Sequence, residues 1–383
     1  MSKHFIIIGG GIAGLATAIS LKKLGHSVKV FESKPDILGL GAGLGLAANA
    51  MKALDYLDLA EELIPLGNML SSLTIKDAHG IPIFQADTEL VKNGTADNFS
   101  IHRKVLIKYL FDKLSTEDTE VSKKLVAVSQ NDRQVEVTFS DGTQAVADYL
   151  IGCDGVGSVV RQTLLPKSTP QYAGYTCWRA ITPNPNIDVQ DGTEIWDQSG
   201  RFGFVPLRGN LIYWYVCINT TTENYATIKA YGIKELKSIF KDFYKEVPHI
   251  ISNTADKDLI QSDILDIKPL KQFAFERILL LGDAAHATTP NMGQGACMAI
   301  EDVAVLIHEL KLETDVISAF KKFERKRLKR TRSVTVKSKQ VGIIAQLESP
   351  ILCRIRNSFF RNLPQSFAKN QMEKLLNTNI FKA

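Results

Sequence analysis

His4-Phe5-Ile6-Ile7-Ile8-Gly9-Gly10-Gly11-Ile12-Ala13-Gly14 begins as an unbroken apolar run and ends in a glycine turn. A strand that is apolar without alternation is one buried on both faces, as in a parallel sheet covered by helices. A helical run to Leu24 follows, then a second strand-like stretch, Ser27 to Phe31, which closes on Glu32. Strand, tight turn, helix, strand and an acid about 20 residues on form the arrangement that binds a dinucleotide. Gly9, Gly11 and Gly14, with Ala13 among them, let the backbone approach a pyrophosphate, and Glu32, followed by Ser33, is placed to accept from ribose hydroxyls. The glycine spacing alone is weak evidence. Set between a strand and a helix it becomes strong, against the alternative of a glycine turn without a ligand.

Almost the whole chain away, Ile278-Leu279-Leu280-Leu281-Gly282-Asp283 reads as another short buried strand ending in a turn. Asp283 then lies at the carboxyl end of a sheet, where open α/β folds bind ligands. Beyond Pro290, Gly293-Gln294-Gly295 opens an apolar helical segment, Ala296 to Leu310, so backbone N–H groups and the positive end of a helix dipole converge there. Such a site suits an anionic ring edge, and a reduced flavin carries its negative charge on the pyrimidine edge of its ring.

A third stretch, Tyr149-Leu150-Ile151-Gly152-Cys153, reads as a buried strand delivering Asp154-Gly155, with Arg161 after it to pair a phosphate or Asp154 itself. These three motifs, in this order, resemble those of the class A flavoprotein aromatic monooxygenases, the fold group of para-hydroxybenzoate, salicylate and urate hydroxylases and of zeaxanthin epoxidase. The resemblance spans nearly the full length. It implies FAD in an extended conformation, contacted by the glycine turn, by Asp154 and Gly155, by Asp283 at the ribityl chain and by Arg103. NADPH or NADH would be a transient reductant docking on the surface, and a flavin hydroperoxide would pass one oxygen atom to an electron-rich ring. Arg201, Tyr213 and Pro290 are the expected catalytic set. The first two match an arginine and a tyrosine that contact substrate in the urate hydroxylase of the group. The position after Pro290, an acid in that enzyme, is Asn291 here, which argues against urate while leaving hydroxylation in place.

The expected fold is α/β: a Rossmann-like FAD-binding domain of parallel sheet plus β-meander (1–70, 98–170 and 271–345), an inserted, mostly antiparallel substrate domain (71–97 and 171–270) and a helical tail (346–383). A chain of 383 residues with 45% apolar and 23% charged residues suits a globular enzyme with a sizeable core. Five cysteines without C-x-x-C pairing or metal-ligand spacing argue for a reducing compartment and against a zinc site. No leader precedes the first strand and no run of ~18 uncharged apolar residues occurs, so a cytoplasmic monomer or homodimer is expected. Net charge is +5, but Lys321 to Lys339 holds ten basic residues against Glu324 alone. Nucleic acid or an anionic membrane would explain that run. A long solvated helix with Ala319, Phe320, Phe323 and Leu328 on its apolar side explains it more simply.

Between the motifs, the glycine-rich stretch Leu38 to Leu46, which includes Gly43, is either a flexible loop or, by the resemblance, a segment that lets the flavin ring change position. Ala47 to Leu63 reads as a helix with Asn49 as cap, Ser72 to Ala86 as a hairpin turning at His79-Gly80, and Ile101 to Leu106 as the start of another helix. Val121 to Ala147 holds three strand-like runs. Strands between 171 and 270 are rich in aromatics, and alternation puts Tyr213 and Tyr215 on one face with Trp214 on the other. Arg179, Arg201 and Tyr213 on such a face need polar partners, with Phe202 or Phe204 expected to line a ring pocket. Glu301 and Asp302 read as braces and His286 as a packing residue. Two rivals to the hydroxylase remain: an epoxidase of a polyene lipid, and a flavin-free binding protein of the GDP-dissociation-inhibitor type.

Overall fold

Three strands decide where the site falls. In a six-stranded sheet, Ile278–Leu280 lies beside Tyr149–Gly152, which lies beside His4–Ile8, all parallel. Ser27–Phe31 and Thr119–Glu120 continue the parallel order on one side, and Ala274–Phe275 closes the other side antiparallel. The carboxyl ends of the three central strands therefore share one edge and deliver Gly9, Asp154 and Gly282-Asp283 side by side. Phe5, Ile6, Ile7, Leu150 and Leu279 are fully buried, because helices Ile12–Lys23 and Gly295–Leu312 cover the sheet on one face and a three-stranded meander, Leu125–Gln130, Val135–Phe139 and Gln144–Ala147, covers the other. Phe139 of the meander meets Phe31 of the sheet with ring centroids 4.5 Å apart. This computed structural model describes residues 2–39, 41–87, 98–377 and 379–382. Leu40 and the segment 88–97, both drawn on above, lie outside the described residues.

A second sheet has seven strands in the order Ile260–Asp266, Gln171–Pro183, Leu211–Asn219, Gly200–Leu207, Gly192–Asp197, Ser72–Asp77, Pro82–Asp87. Only Gly192–Asp197 against Ser72–Asp77 runs parallel. Period-two alternation splits its side chains. Trp178, Phe202, Phe204, Trp214 and Val216 pack with Leu236, Phe240, Val247 and Ile250 of the helices behind. Tyr175, Cys177, Arg179, Arg201, Tyr213 and Tyr215 take the other face. The expectation that Phe202 or Phe204 lines a ring pocket is corrected: sharing a strand with Arg201 at odd and even positions, they point the opposite way.

A small sheet, Gly43–Leu46, Asn98–His102 and Asn68–Leu70, links the two. Ile101 and His102 end a strand rather than begin a helix; the helix is Arg103–Phe111, and the His102 ring accepts from the Lys104 amide at 3.1 Å. The helix expected from Ala47 to Leu63 is shorter, Ala48–Tyr56, and Asn49 lies inside it, buried. Gly43–Leu46 is a strand, not a free loop, paired Gly43 to His102. The chain closes with helices Val316–Ala345, Pro350–Arg361 and Gln365–Leu376. No helix among the described residues is long and apolar enough to cross a membrane.

Candidate active site

Gly9 takes φ +108°, and a Cβ there would come within 2.3 Å of the Cys153 carbonyl oxygen, so the first glycine is required by the close pass of the Asp154 turn. Above Gly11 there is open space, with nothing within 4 Å of an added Cβ, and no side chain caps helix Ile12–Lys23, whose first N–H groups face that space. Gly14 and Ala13 lie in that helix. Glu32 accepts from the Gly10 amide at 2.8 Å and from Ser33 Oγ at 3.1 Å, which holds its carboxylate beside the turn. Across the cleft a Cβ on Gly282 would stand 3.4 Å from the Ala13 methyl, so the two ends of the sequence touch.

Asp283 is solvent-exposed, yet protein surrounds it, and that crowding raises its carboxyl above the usual range against the pull of His286, Arg103 and Arg161. Exposure combined with desolvation marks the wall of a deep cleft. Arg103, at the start of its helix, is exposed on the same cleft, within electrostatic reach of Asp283, Arg179 and Tyr213. Asp154 uses one carboxylate oxygen on the amides of Val159 and Val160, at 2.7 and 3.1 Å, while its Oδ1 and the Thr288 hydroxyl are buried with no partner among the described residues. Gly155, at φ +78°, follows in the turn. Gly293 is left-handed, Gln294 is buried and accepts from Asn49 at 3.0 Å, and Gly295 begins an 18-residue helix without a side-chain cap. Open space over a glycine turn, an uncapped long helix and orphaned polar atoms on the cleft wall fit an extended, anionic dinucleotide such as FAD.

Arg161 behaves otherwise than expected. It is fully buried and donates to the carbonyls of Ser168, Ala284 and Val156 at 3.1, 3.0 and 2.5 Å rather than to Asp154. Its guanidinium ties the Asp154 loop to the Asp283 turn.

The basic helix is likewise more than a solvated face. Its outer residues are exposed, but Arg327 is fully buried, donating from Nε to Asp302 at 2.6 Å and from Nη1 to Glu301 at 2.7 Å, and Arg330 also grips Glu301 through Nε at 2.6 Å. Asp302 in turn accepts from the Gly282 amide at 2.9 Å and pairs His286 at 2.6 Å. Asn49 donates to Glu301 at 2.6 Å. The network clamps the Gly282-Asp283 turn from behind.

On the sheet face opposite, Arg201 is 2% exposed, pairs Glu194 at 3.3 Å and hydrogen-bonds Asn291. Burial works against its charge, and Cys217, Glu194 and the facing tyrosines overcome it to raise its pKa. Glu194 also accepts from Tyr215 at 2.7 Å and Trp196 at 2.8 Å. Asn291, in the short turn begun by exposed Pro290, accepts from Tyr175 at 3.0 Å and donates to Thr289 and the Ser338 carbonyl. Tyr213 is half-buried, its pKa raised by burial, and lies so close over Gly43 that a Cβ there would stand 2.1 Å from the ring. Arg179 donates to Ser262 at 2.6 Å. The Nε atoms of Arg179 and Arg201 are buried without a partner among the described residues. Sequence reading singled out Arg201 and Tyr213 but not Glu194 or Tyr175. Alternation along Gln171–Pro183 puts Tyr175 on the face of Arg179, a signal that could have found it, whereas pairing with Glu194 depends on which strand lies next door.

A dinucleotide cleft roofed by an antiparallel sheet defines an FAD-dependent monooxygenase. The chain belongs to the family described as an FAD binding domain, whose model matches residues 3–337. It is 31% identical over 367 residues to aurachin C monooxygenase/isomerase of Stigmatella aurantiaca, covering 93% of each chain. It is 29% identical to the 2-heptyl-3-hydroxy-4(1H)-quinolone synthase of Pseudomonas aeruginosa, covering 97% of each. Its fold matches Klebsiella pneumoniae HpxO, solved with FAD and uric acid, at a TM-score of 0.88 and 23% identity over 98% of this chain and 97% of that one. The reading as a flavin-free binding protein falls away with these matches.

Proposed function

We propose that the protein is an NAD(P)H- and O2-dependent hydroxylase of a small, electron-rich heteroaromatic ring bearing a carbonyl or hydroxyl oxygen. The observation that carries this reading is the grouping of Arg179, Arg201 and Tyr213 on one face of the second sheet, with Nε of both arginines unpartnered among the described residues. Because Glu194 already balances Arg201, a neutral oxygen suffices and no carboxylate is needed on the substrate. The name of the Pseudomonas relative, a synthase of a 3-hydroxy-4(1H)-quinolone, supports a bicyclic ring of this kind.

Bound FAD supplies the redox and oxygen chemistry. The glycine turn, Glu32 and Asp154 would hold its dinucleotide part, Asp283 and Arg103 would contact its ribityl region, and the uncapped helix at Gly295 would offer the positive end of its dipole to negative charge on the flavin. Arg201 and Tyr213 hold the substrate ring, while Tyr175, Asn291 and Glu194 fix Arg201. Pro290 sets the turn that presents Asn291. Tyr213, kept neutral by burial, donates a hydrogen bond to the ring oxygen.

The test is consumption of NAD(P)H by the purified holoprotein with a panel of ligands. Quinolone-like and phenolic rings should accelerate it and yield hydroxylated product by mass spectrometry. Acceleration only by long apolar polyenes, with epoxide product, would instead establish the epoxidase.

A further inference from the structure

Helices Val316–Ala345 and Pro350–Arg361 join at a bend where Arg356 donates to the carbonyls of Ile344 and Ala345, both at 3.3 Å. The inward face of the second helix is occupied: Cys353 and Arg356 are buried, and Phe360 meets the rings of Trp196 and Phe84. Its outward face is not. Ile351, Leu352, Ile355 and Phe359 fall at helical spacing along one side and are 68%, 48%, 60% and 62% exposed. Ile343 and Ile344 carry the apolar surface across the bend, and an open groove of about 490 Å³ adjoins it between Ile355, Phe359 and Leu363. Single exposed aliphatics are ordinary, but a contiguous group marks an interaction surface.

Charge identifies the partner. Along the long helix, the inward cations Lys326, Arg327 and Arg330 pair with Glu309, Glu301 and Asp302. Arg325, Lys329, Arg332, Lys337 and Lys339 point outward and, among the described residues, form no ion pair; Arg354 beside the apolar face is the same. Between Arg325 and Arg361 the only acid is Glu348. A second copy of the chain would bring the same cations face to face, which opposes a symmetric dimer through this surface. Nucleic acid would use the cations and leave the aliphatics in water. Aliphatics at the acyl boundary with cations at the headgroups is the pattern of an interfacial helix.

We propose that this bend docks the protein on an anionic lipid bilayer, with Ile351, Leu352, Ile355 and Phe359 entering the headgroup boundary and the outward cations lying against lipid phosphates. The inference stands apart from the choice of substrate. It is tested by co-sedimentation of the FAD-loaded protein with vesicles of phosphatidylcholine alone and with roughly one-third phosphatidylglycerol. Binding to the anionic vesicles should be at least ~10-fold tighter and should weaken as salt is raised. Ile355→Asp with Phe359→Asp should lose ~10-fold or more of that binding while keeping FAD absorbance and melting temperature, and Lys337→Glu with Lys339→Glu should erase the preference for anionic lipid. Equal binding by the wild type and both variants, or no binding to either vesicle, overturns the proposal. So does a lipid-free dimer that the apolar variant dissociates while vesicles stay unbound, which would assign the face to a second copy.

Discussion

Two buried arginine–carboxylate clusters flank the cleft, and they differ in completeness. Behind the Gly282-Asp283 turn, Arg327 spends its guanidinium nitrogens on Asp302, Glu301 and the Met298 carbonyl. On the sheet face, Arg201 binds Glu194 and Asn291 but leaves Nε without a partner among the described residues. A cluster closed on itself holds shape. One with an unused buried donor is less fully satisfied, and the proposed function assigns the first to the scaffold and the second to the substrate site.

The sharpest way to break this contrast is Arg327→Met. It strands Glu301 and Asp302 in the interior and should cost ~3–5 kcal/mol of stability, read by denaturant unfolding. Burial opposes ionisation of both carboxyls, but Arg327, with His286 at Asp302 and Arg330 at Glu301, outweighs it and holds them below their ordinary range. The stability so gained is complete above the ordinary values of 4.5 for Glu301 and 3.8 for Asp302 and is lost as pH falls through the lowered ones; the variant, which keeps His286 and Arg330, should lose part of this acid dependence. Next comes Arg201→Gln. Glu194 keeps its bonds from Tyr215 and Trp196, so the fold and FAD content should survive while ligand-stimulated turnover falls by ~2–4 kcal/mol. Equal damage to stability and turnover would erase the distinction between the clusters. Asp283→Ala, on the turn that the closed cluster clamps, should weaken FAD by ~1.5–3 kcal/mol, measured as released flavin, with a smaller loss for Glu32→Ala. The smallest effect is a pH dependence. The neighbouring Cys177, opposite it across the strand pair, and the charge of Arg201 hold the Cys217 thiol below its ordinary range despite burial. As pH rises through that value, a thiolate forms 3.7 Å from Arg201 Nη2 and competes with the ring oxygen, so KM should rise on the alkaline side. Cys217→Ser should flatten that limb, a change under ~1 kcal/mol.

Residues near in sequence made the fold legible. Four buried positions in a row before Gly9, and again before Gly282, require strands covered on both faces, and a glycine turn opening a helix leaves few alternatives. Asp154 and Asp283 could therefore be placed at the cleft from sequence. The long helix misled because its composition shows how many cations it carries and not which of them turn inward; Arg327 is buried only because Glu301 and Asp302 wait on a neighbouring helix. Arg161 was read as pairing a phosphate or Asp154 for the same reason, since the carbonyls it binds include one more than a hundred residues away. On the second sheet, alternation along Gly200–Leu207 turns Phe202 and Phe204 away from Arg201, a consequence of strand periodicity that the expected ring pocket overlooked. That Glu194 lies beside Arg201 follows from strand order and register, which the periodicity of a single strand does not encode. Local patterning thus settled the dinucleotide fold and the position of its turns, whereas the partners of each buried charge, and with them the division between scaffold and substrate site, were decided by long-range pairing in the tertiary structure.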